Sequence, residues 1–162
     1  MRERHRKGRT TARKARRAAL GGALAAGVVG LSAGPADASW GPVPPSPVAI
    51  PTTNVTTVDL SAGIFQGFAS ISSTEEDWYT FVAPKSGVHV IWTSTANNVP
   101  DTVLGVYNSA GTLLASNDDF AAPDRDSQVQ VSLTKDVQYY FGITNYINTA
   151  GGDYEYLLRA PK

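Results

Sequence analysis

The sequence predicts an all-β fold: a two-sheet antiparallel β-sandwich of eight or nine short strands, jelly-roll-like or immunoglobulin-like. Three observations carry this. From Asn54 onward, apolar residues recur with period two over short stretches. Turn signals separate these stretches roughly every 8–12 residues. No stretch combines helical periodicity with caps.

The elements follow in order. Val55–Leu60 is a first strand, and Gly63–Ile71 a second through Ile64, Gly67, Ala69 and Ile71. Ser72–Glu76 is a polar turn. Asp77–Ala83 places Tyr79 and Phe81 on one face. Pro84–Gly87 turns into Val88–Thr93, where Val88, Val90 and Trp92 share one face and His89 and Ile91 the other. That alternation puts His89, the one histidine after residue 38, on an outer or surface position. Asn97–Pro100 leads to the stretch Asp101–Asp126. Gln128–Leu133, with Val129, Val131 and Leu133 in phase, is the cleanest alternation in the chain. Val137–Thr144 repeats it through Tyr139, Phe141 and Ile143, and Asp153–Arg159 through Tyr154, Tyr156 and Leu158.

Residues 1–53 have a different texture. Nine of the 14 Lys and Arg lie in residues 1–17, followed by a Gly/Ala/Val/Leu run of 16 residues from Ala18 to Ala33 and then Ala36-Asp37-Ala38. A basic segment, a short apolar run and an Ala-x-Ala site are the parts of a secretory signal peptide. The run falls short of the roughly 20 residues a membrane span needs. Arg16-Arg17 suggests twin-arginine export. The division is thus 1–38 signal peptide, 39–53 linker and 54–162 β-sandwich. The linker holds Pro42, Pro44, Pro45, Pro47 and Pro51 and is expected to run extended and unpacked. Membrane contact is expected only during export.

Removing residues 1–38 leaves five bases against twelve acids, a net charge of −7 in place of the whole-chain value of zero. An acidic surface without clustered bases argues against nucleic-acid binding. The absence of cysteine excludes disulfides and thiolate chemistry, so the domain must be held by its core.

Asp101–Asp126 is the chemically distinctive stretch. Asp101–Tyr107 and Thr112–Ser116 read as a hairpin about the turn Asn108–Gly111. A turn centred on Ser109-Ala110 would pair Val106 with Leu113 and Leu104 with Ala115 on one apolar face. It would also set Asp101 opposite Asp118, a like-charge pair that destabilises a ladder. Solvation, a cationic neighbour or a bound hard cation can relieve it. Asp101, Asn117, Asp118, Asp119 and Asp126 offer short oxygen donors on one loop, as calcium prefers. The spacing is not that of an EF-hand. The other reading is a solvated acidic turn with Asx bonds.

The order of these pieces resembles the bacterial pre-peptidase C-terminal domain family across roughly Val55 to Leu158. The resemblance rests on Asp77-Trp78-Tyr79-Thr80-Phe81, Ser86-Gly87-Val88, Asp101-Thr102-Val103-Leu104, the run Leu113–Asp119, Ser127-Gln128-Val129, Tyr139-Tyr140 and Gly152-Asp153-Tyr154. It implies a non-catalytic β-sandwich that accompanies secreted peptidases and other hydrolases, aiding secretion or binding, with calcium in some relatives. Collagen-binding relatives hold calcium with an acidic segment before the first strand; here that segment is proline-rich and nearly uncharged.

Trp78, Trp92, Tyr140 and Tyr146 could form an aromatic platform for a polymer. Trp78, out of phase with Tyr79 and Phe81, is expected on the other side of their sheet. No HExxH, G-x-S-x-G or P-loop is present. The expected function is an exported binding or accessory module for an extracellular protein or polysaccharide, a secreted peptidase among the candidate partners. The alternative is a small secreted hydrolase using paired carboxylates; a cleft gathering two carboxylates away from the Asp101–Asp119 loop would favour it.

Overall fold

Nine strands build two sheets in the computed structural model, which describes residue 41, residues 43–147 and residues 149–162. The expected signal peptide lies outside the described residues. The strands are β1 (Val55–Thr57), β2 (Ile64–Ile71), β3 (Glu76–Val82), β4 (Gly87–Thr95), β5 (Thr102–Tyr107), β6 (Leu113–Asn117), β7 (Gln128–Leu133), β8 (Gln138–Asn145) and β9 (Gly152–Arg159). One sheet has the order β1-β3-β8-β5-β6, the other β2-β9-β4-β7. The sandwich read from periodicity is thus the observed architecture.

Each short turn except that between β5 and β6 carries the chain from one sheet to the other. Because β1 and β3 flank β2, which lies in the opposite sheet, the chain re-enters running parallel, and β1 pairs with β3 in parallel. The remaining pairs are antiparallel.

The main core lies between the sheets. Tyr79, Phe81, Leu104, Val106, Phe141 and Ile143 enter from one side; Ile91, Val129, Val131, Tyr156 and Leu158 enter from the other. Tyr79 stacks on Phe141 with centroids 4.6 Å apart. The hydroxyls of Tyr79 and Tyr154 meet at 2.7 Å across the sandwich, and Tyr154 donates to Asp77 Oδ2 at 2.6 Å. The ring is thereby buried without stranding its polar tip.

Three expectations are corrected. His89 is 1% exposed, with Nδ1 3.0 Å from the Gly87 carbonyl oxygen. Its partner Val131 and the Ile91 partners Val129 and Leu158 are all core residues, so the register turns His89, Ile91 and Thr93 inward and leaves Trp92 outside. The hairpin register is also shifted: Leu104 faces Asn117 and Val106 faces Ala115, with an irregularity before Tyr107↔Leu113. The Asn108 side chain accepts from the Ala110 and Thr112 amides, which lengthens the turn. The two-residue shift leaves Leu104, Val106 and Ala115 facing the core, and the irregularity, which skips Leu114, turns Leu113 to the opposite face.

The third correction concerns the proline-rich segment. It is packed. Val48 and Ile50 lie on the outer face of the five-stranded sheet against Trp78, Val103 and Tyr107. Pro44 is buried, Val48 N–H donates to the Gly111 carbonyl at 2.9 Å, and Leu113 N–H donates to Ser46 Oγ at 3.0 Å. The sheet is therefore covered on both sides at its centre.

Phe141 is fully buried. Phe141→Ala is expected to destabilise the domain by about 3–5 kcal/mol, a large share of the roughly 5–15 kcal/mol that holds such a domain. Urea titration followed by tryptophan fluorescence measures this.

Candidate functional site

The acidic end of the sandwich is assembled by β5, β6 and the loop from β6 to β7. Asp101 stands one residue before β5 and is 9% exposed. Its main chain is locked, since Asp101 N–H donates to Asn145 Oδ1 at 3.0 Å and its carbonyl accepts from Tyr146 N–H at 2.6 Å. Asp118 and Asp119 follow β6. One carboxylate oxygen from each of Asp101, Asp118 and Asp119 falls within 4.8 Å of the others. Like charges this close are repulsive in a partly desolvated place.

Two features relieve the repulsion. Arg125 Nη1 contacts Asp101 Oδ2 at 3.0 Å. The second is a raised affinity for a proton at Asp118: burial first, then the charges of Asp119 and Asp101, push its carboxyl up to about 6. Burial also raises Asp101, against the pull of Arg125. Asp118 Oδ1 is buried and has no hydrogen-bond partner among the described residues.

The other two expected ligands serve the loop. Asn117 Oδ1 accepts from Gln128 N–H at 2.9 Å, and its amide nitrogen donates to the Asp119 carbonyl at 3.1 Å. Asp126 Oδ1 accepts from both Thr95 N–H and Thr95 Oγ1, at 2.8 and 2.9 Å. Ser127, read only as part of a strand motif, is fully buried. Its N–H donates to Thr93 Oγ1, and its hydroxyl sits between the main-chain carbonyls of Thr102 and Asp118. Thr93 and Thr102 meet at 2.6 Å. This knot ties the acidic loop to both sheets. Arg125 was visible in the sequence as the one base between Lys85 and Lys135.

The donor set fits a hard divalent cation. Three carboxylates converge, one oxygen has no other partner, and main-chain carbonyls and water could complete the six to eight oxygens calcium takes. A cation there would compete with Arg125 for Asp101.

The four aromatics do not share a surface. Trp78 is 4% exposed on the outer face of the five-stranded sheet, its indole donating to Glu76 at 2.9 Å and its ring tilted on Tyr107. Tyr140 and Tyr146 pack beside it. Trp92 lies on the outer face of the other sheet, with the Arg159 guanidinium 5.9 Å from its ring centre. Trp78 obeys the alternation, but its sheet is covered on that side too.

A cavity of about 590 Å³ opens at the far end of β3 and β8, lined in part by Asp59, Thr80, Asp136 and Gln138. The Asp59 carboxylate accepts from Ser61, which lowers its pKa, opposite to what a general acid requires. Asp136 pairs with Lys135 at 3.6 Å, both exposed. Asp59 and Asp136 therefore line one cleft away from the Asp101–Asp119 loop, the arrangement the hydrolase alternative calls for, with the lowered Asp59 carboxyl unsuited to act as its acid.

The raised Asp118 pKa fixes a pH dependence. The folded state holds this proton to about pH 6, whereas an unfolded Asp releases it near 3.8. Stability from this group is complete below about 3.8 and is lost as pH rises to 6. In chelator, the melting temperature is expected to fall between pH 4 and 6.5, and Asp118→Asn to flatten the fall. Calorimetry across that window checks it.

No family model matches the chain, and no curated protein matches it. Solved structures do. The pre-peptidase C-terminal domain of collagenase from Bacillus anthracis superposes with a TM-score of 0.51 at 17% identity, covering 65% of this chain and 94% of that one. PliG from Aeromonas hydrophila, a periplasmic inhibitor of g-type lysozyme, gives 0.48 at 18%, covering 65% and 96%. The mitogen of Yersinia pseudotuberculosis gives 0.46 at 15%, covering 61% and 86%. The chain has the fold of a pre-peptidase C-terminal domain, the family its motifs resemble.

Proposed function

We propose that this chain is an exported, non-catalytic binding module whose outer four-stranded face engages an extracellular protein or polysaccharide. The observation that carries this reading is the state of that face. Ile64, Phe68 and Val88 are 54%, 76% and 48% exposed, beside the half-buried Leu157 and Trp92. The register lines up Gln66, Leu157, Trp92 and Gln128 in one row and sets Phe68 opposite Glu155. Exposed apolar side chains spread over a face that no described segment covers, with Leu157 and Trp92 adjacent at its centre, favour an interaction surface. Gln66, Gln128 and Glu155 supply polar contacts around them. The net charge of −7 after residue 38 favours a partner with basic groups. Export is supported by the basic, apolar and Ala-x-Ala segments of residues 1–38.

Calcium is the second part of the proposal, bound by Asp101, Asp118 and Asp119. Extracellular sites of this kind bind at about 0.1–1 mM. At about 5 mM calcium that contributes about 1–2 kcal/mol, or several degrees in melting temperature. Its effect is expected to shrink below pH 6, where Asp118 takes up a proton. Arg125→Ala is expected to lower stability in chelator and to tighten calcium binding, since it frees Asp101. Calorimetric titration of both proteins decides this, and equal affinities would place the cation elsewhere.

The binding face is tested by pull-down on insoluble polysaccharides and fibrous extracellular proteins, with and without calcium. Phe68→Ser is expected to abolish capture while shifting the melting temperature little, because its side chain is already in solvent. Undiminished capture would move the surface off this sheet.

A further inference from the structure

The outer face of the five-stranded sheet carries a second, independent inference. Its floor is aromatic: Trp78, Tyr107, Tyr140 and Tyr146, with Val103 and Leu113 between them. A sandwich does not need such a floor on an outer face, where polar side chains suffice. What lies on it is the chain's own proline-rich segment. Val48 and Ile50 point onto the aromatics, Pro44 is buried, and Pro45, Ser46, Pro47 and Ala49 remain exposed.

The seat is shaped for a backbone. Gly111 has φ +74°, and a methyl group there would collide with the Val48 carbonyl oxygen. Its own carbonyl accepts from Val48 N–H, and Leu113 N–H reaches Ser46 Oγ. Gly105 leaves the space that the Tyr107 ring fills. The segment itself is uncharged: no Asp, Glu, Lys or Arg occurs from Ala38 to Val58. Proline fixes φ in advance, so a proline-rich peptide loses little freedom on docking, and here apolar contact with the aromatics and a few hydrogen bonds from and to the main chain hold it. None of residues 43–50 belongs to the core between the sheets, so their departure would uncover the outer cluster alone.

We propose that this face is a receptor groove for an uncharged, proline-rich segment of a partner protein. Residues 43–50 occupy it when that partner is absent. The polar and exposed Thr52, Thr53 and Asn54 form the tether to β1.

The test uses the exported protein with a protease site inserted between Thr52 and Thr53, cut after folding. The probe is a fluorescently labelled peptide spanning residues 41–51. The cut protein is expected to bind it saturably, and the uncut protein to bind it far more weakly. A serine-to-alanine change in the peptide at Ser46 removes the acceptor for Leu113 and should weaken binding about 2- to 10-fold. Gly111→Ala in the cut protein should abolish binding while the cooperative melt persists. An unrelated uncharged proline-rich peptide should compete, and the same peptide with glycine for proline should not. Three results would overturn the proposal. Equal binding to cut and uncut protein puts the peptide elsewhere. Loss of the melt on cutting makes the segment part of the fold. Competition by residues 41–51 alone, with dimers of uncut protein at high concentration, makes the groove a site of exchange between copies.

Discussion

Strand β5 has no exposed residue, and the rest of the molecule accommodates that fact. A strand buried on both faces must have a layer on each side. The four-stranded sheet supplies the inner layer over Leu104 and Val106. No described helix is available for the outer one, so residues 43–50 lie over Val103 and Tyr107. Burial of β5 also draws its preceding residue, Asp101, out of solvent. A carboxylate in that position needs a cation or a proton nearby.

The acidic end can be understood from that requirement. Arg125 answers Asp101, and Asp118 is left with a buried oxygen and a raised affinity for protons. The surrounding hydroxyls do not neutralise this charge. Ser127, Thr93 and Thr102 instead satisfy main-chain groups and hold the loop to both sheets. The carboxylates therefore sit on a rigid frame, which is the condition for a cation site and also the source of their repulsion.

Legibility differed among the parts for identifiable reasons. Gln128–Leu133, matched residue for residue, shows one half-buried face and alternates cleanly. The acidic cluster was legible because Asp101, Asp118 and Asp119 sit at both roots of one hairpin. The register differs by two residues, which keeps faces, and the irregularity after Val106 turns Leu113 to the other face; neither separates those acids. His89 was misplaced because alternation gives the phase of a strand relative to itself, and Val131 and Leu158 settle which phase points inward. The turns were located, yet whether a turn makes a hairpin or crosses between sheets depends on where the next strand finds a partner. Proline content read as an unpacked linker, because nothing local to Pro44 or Val48 reveals that aromatics from β3, β5 and β8 will meet beneath it.

By itself, the sequence determined the strand segments, the turn positions, the two-sheet class and the concentration of acids on one loop. These follow from period-two burial, from residues that tolerate turns and from charge, all local properties. The tertiary structure alone decided the strand order, the parallel pairing of β1, the burial of His89 and Trp78, and the convergence of Asp101, Asp118 and Asp119. It also placed the proline-rich segment over an aromatic floor. Each of these depends on contacts between residues far apart in the chain, where the neighbour that buries a side chain or answers a charge is set by packing and not by spacing.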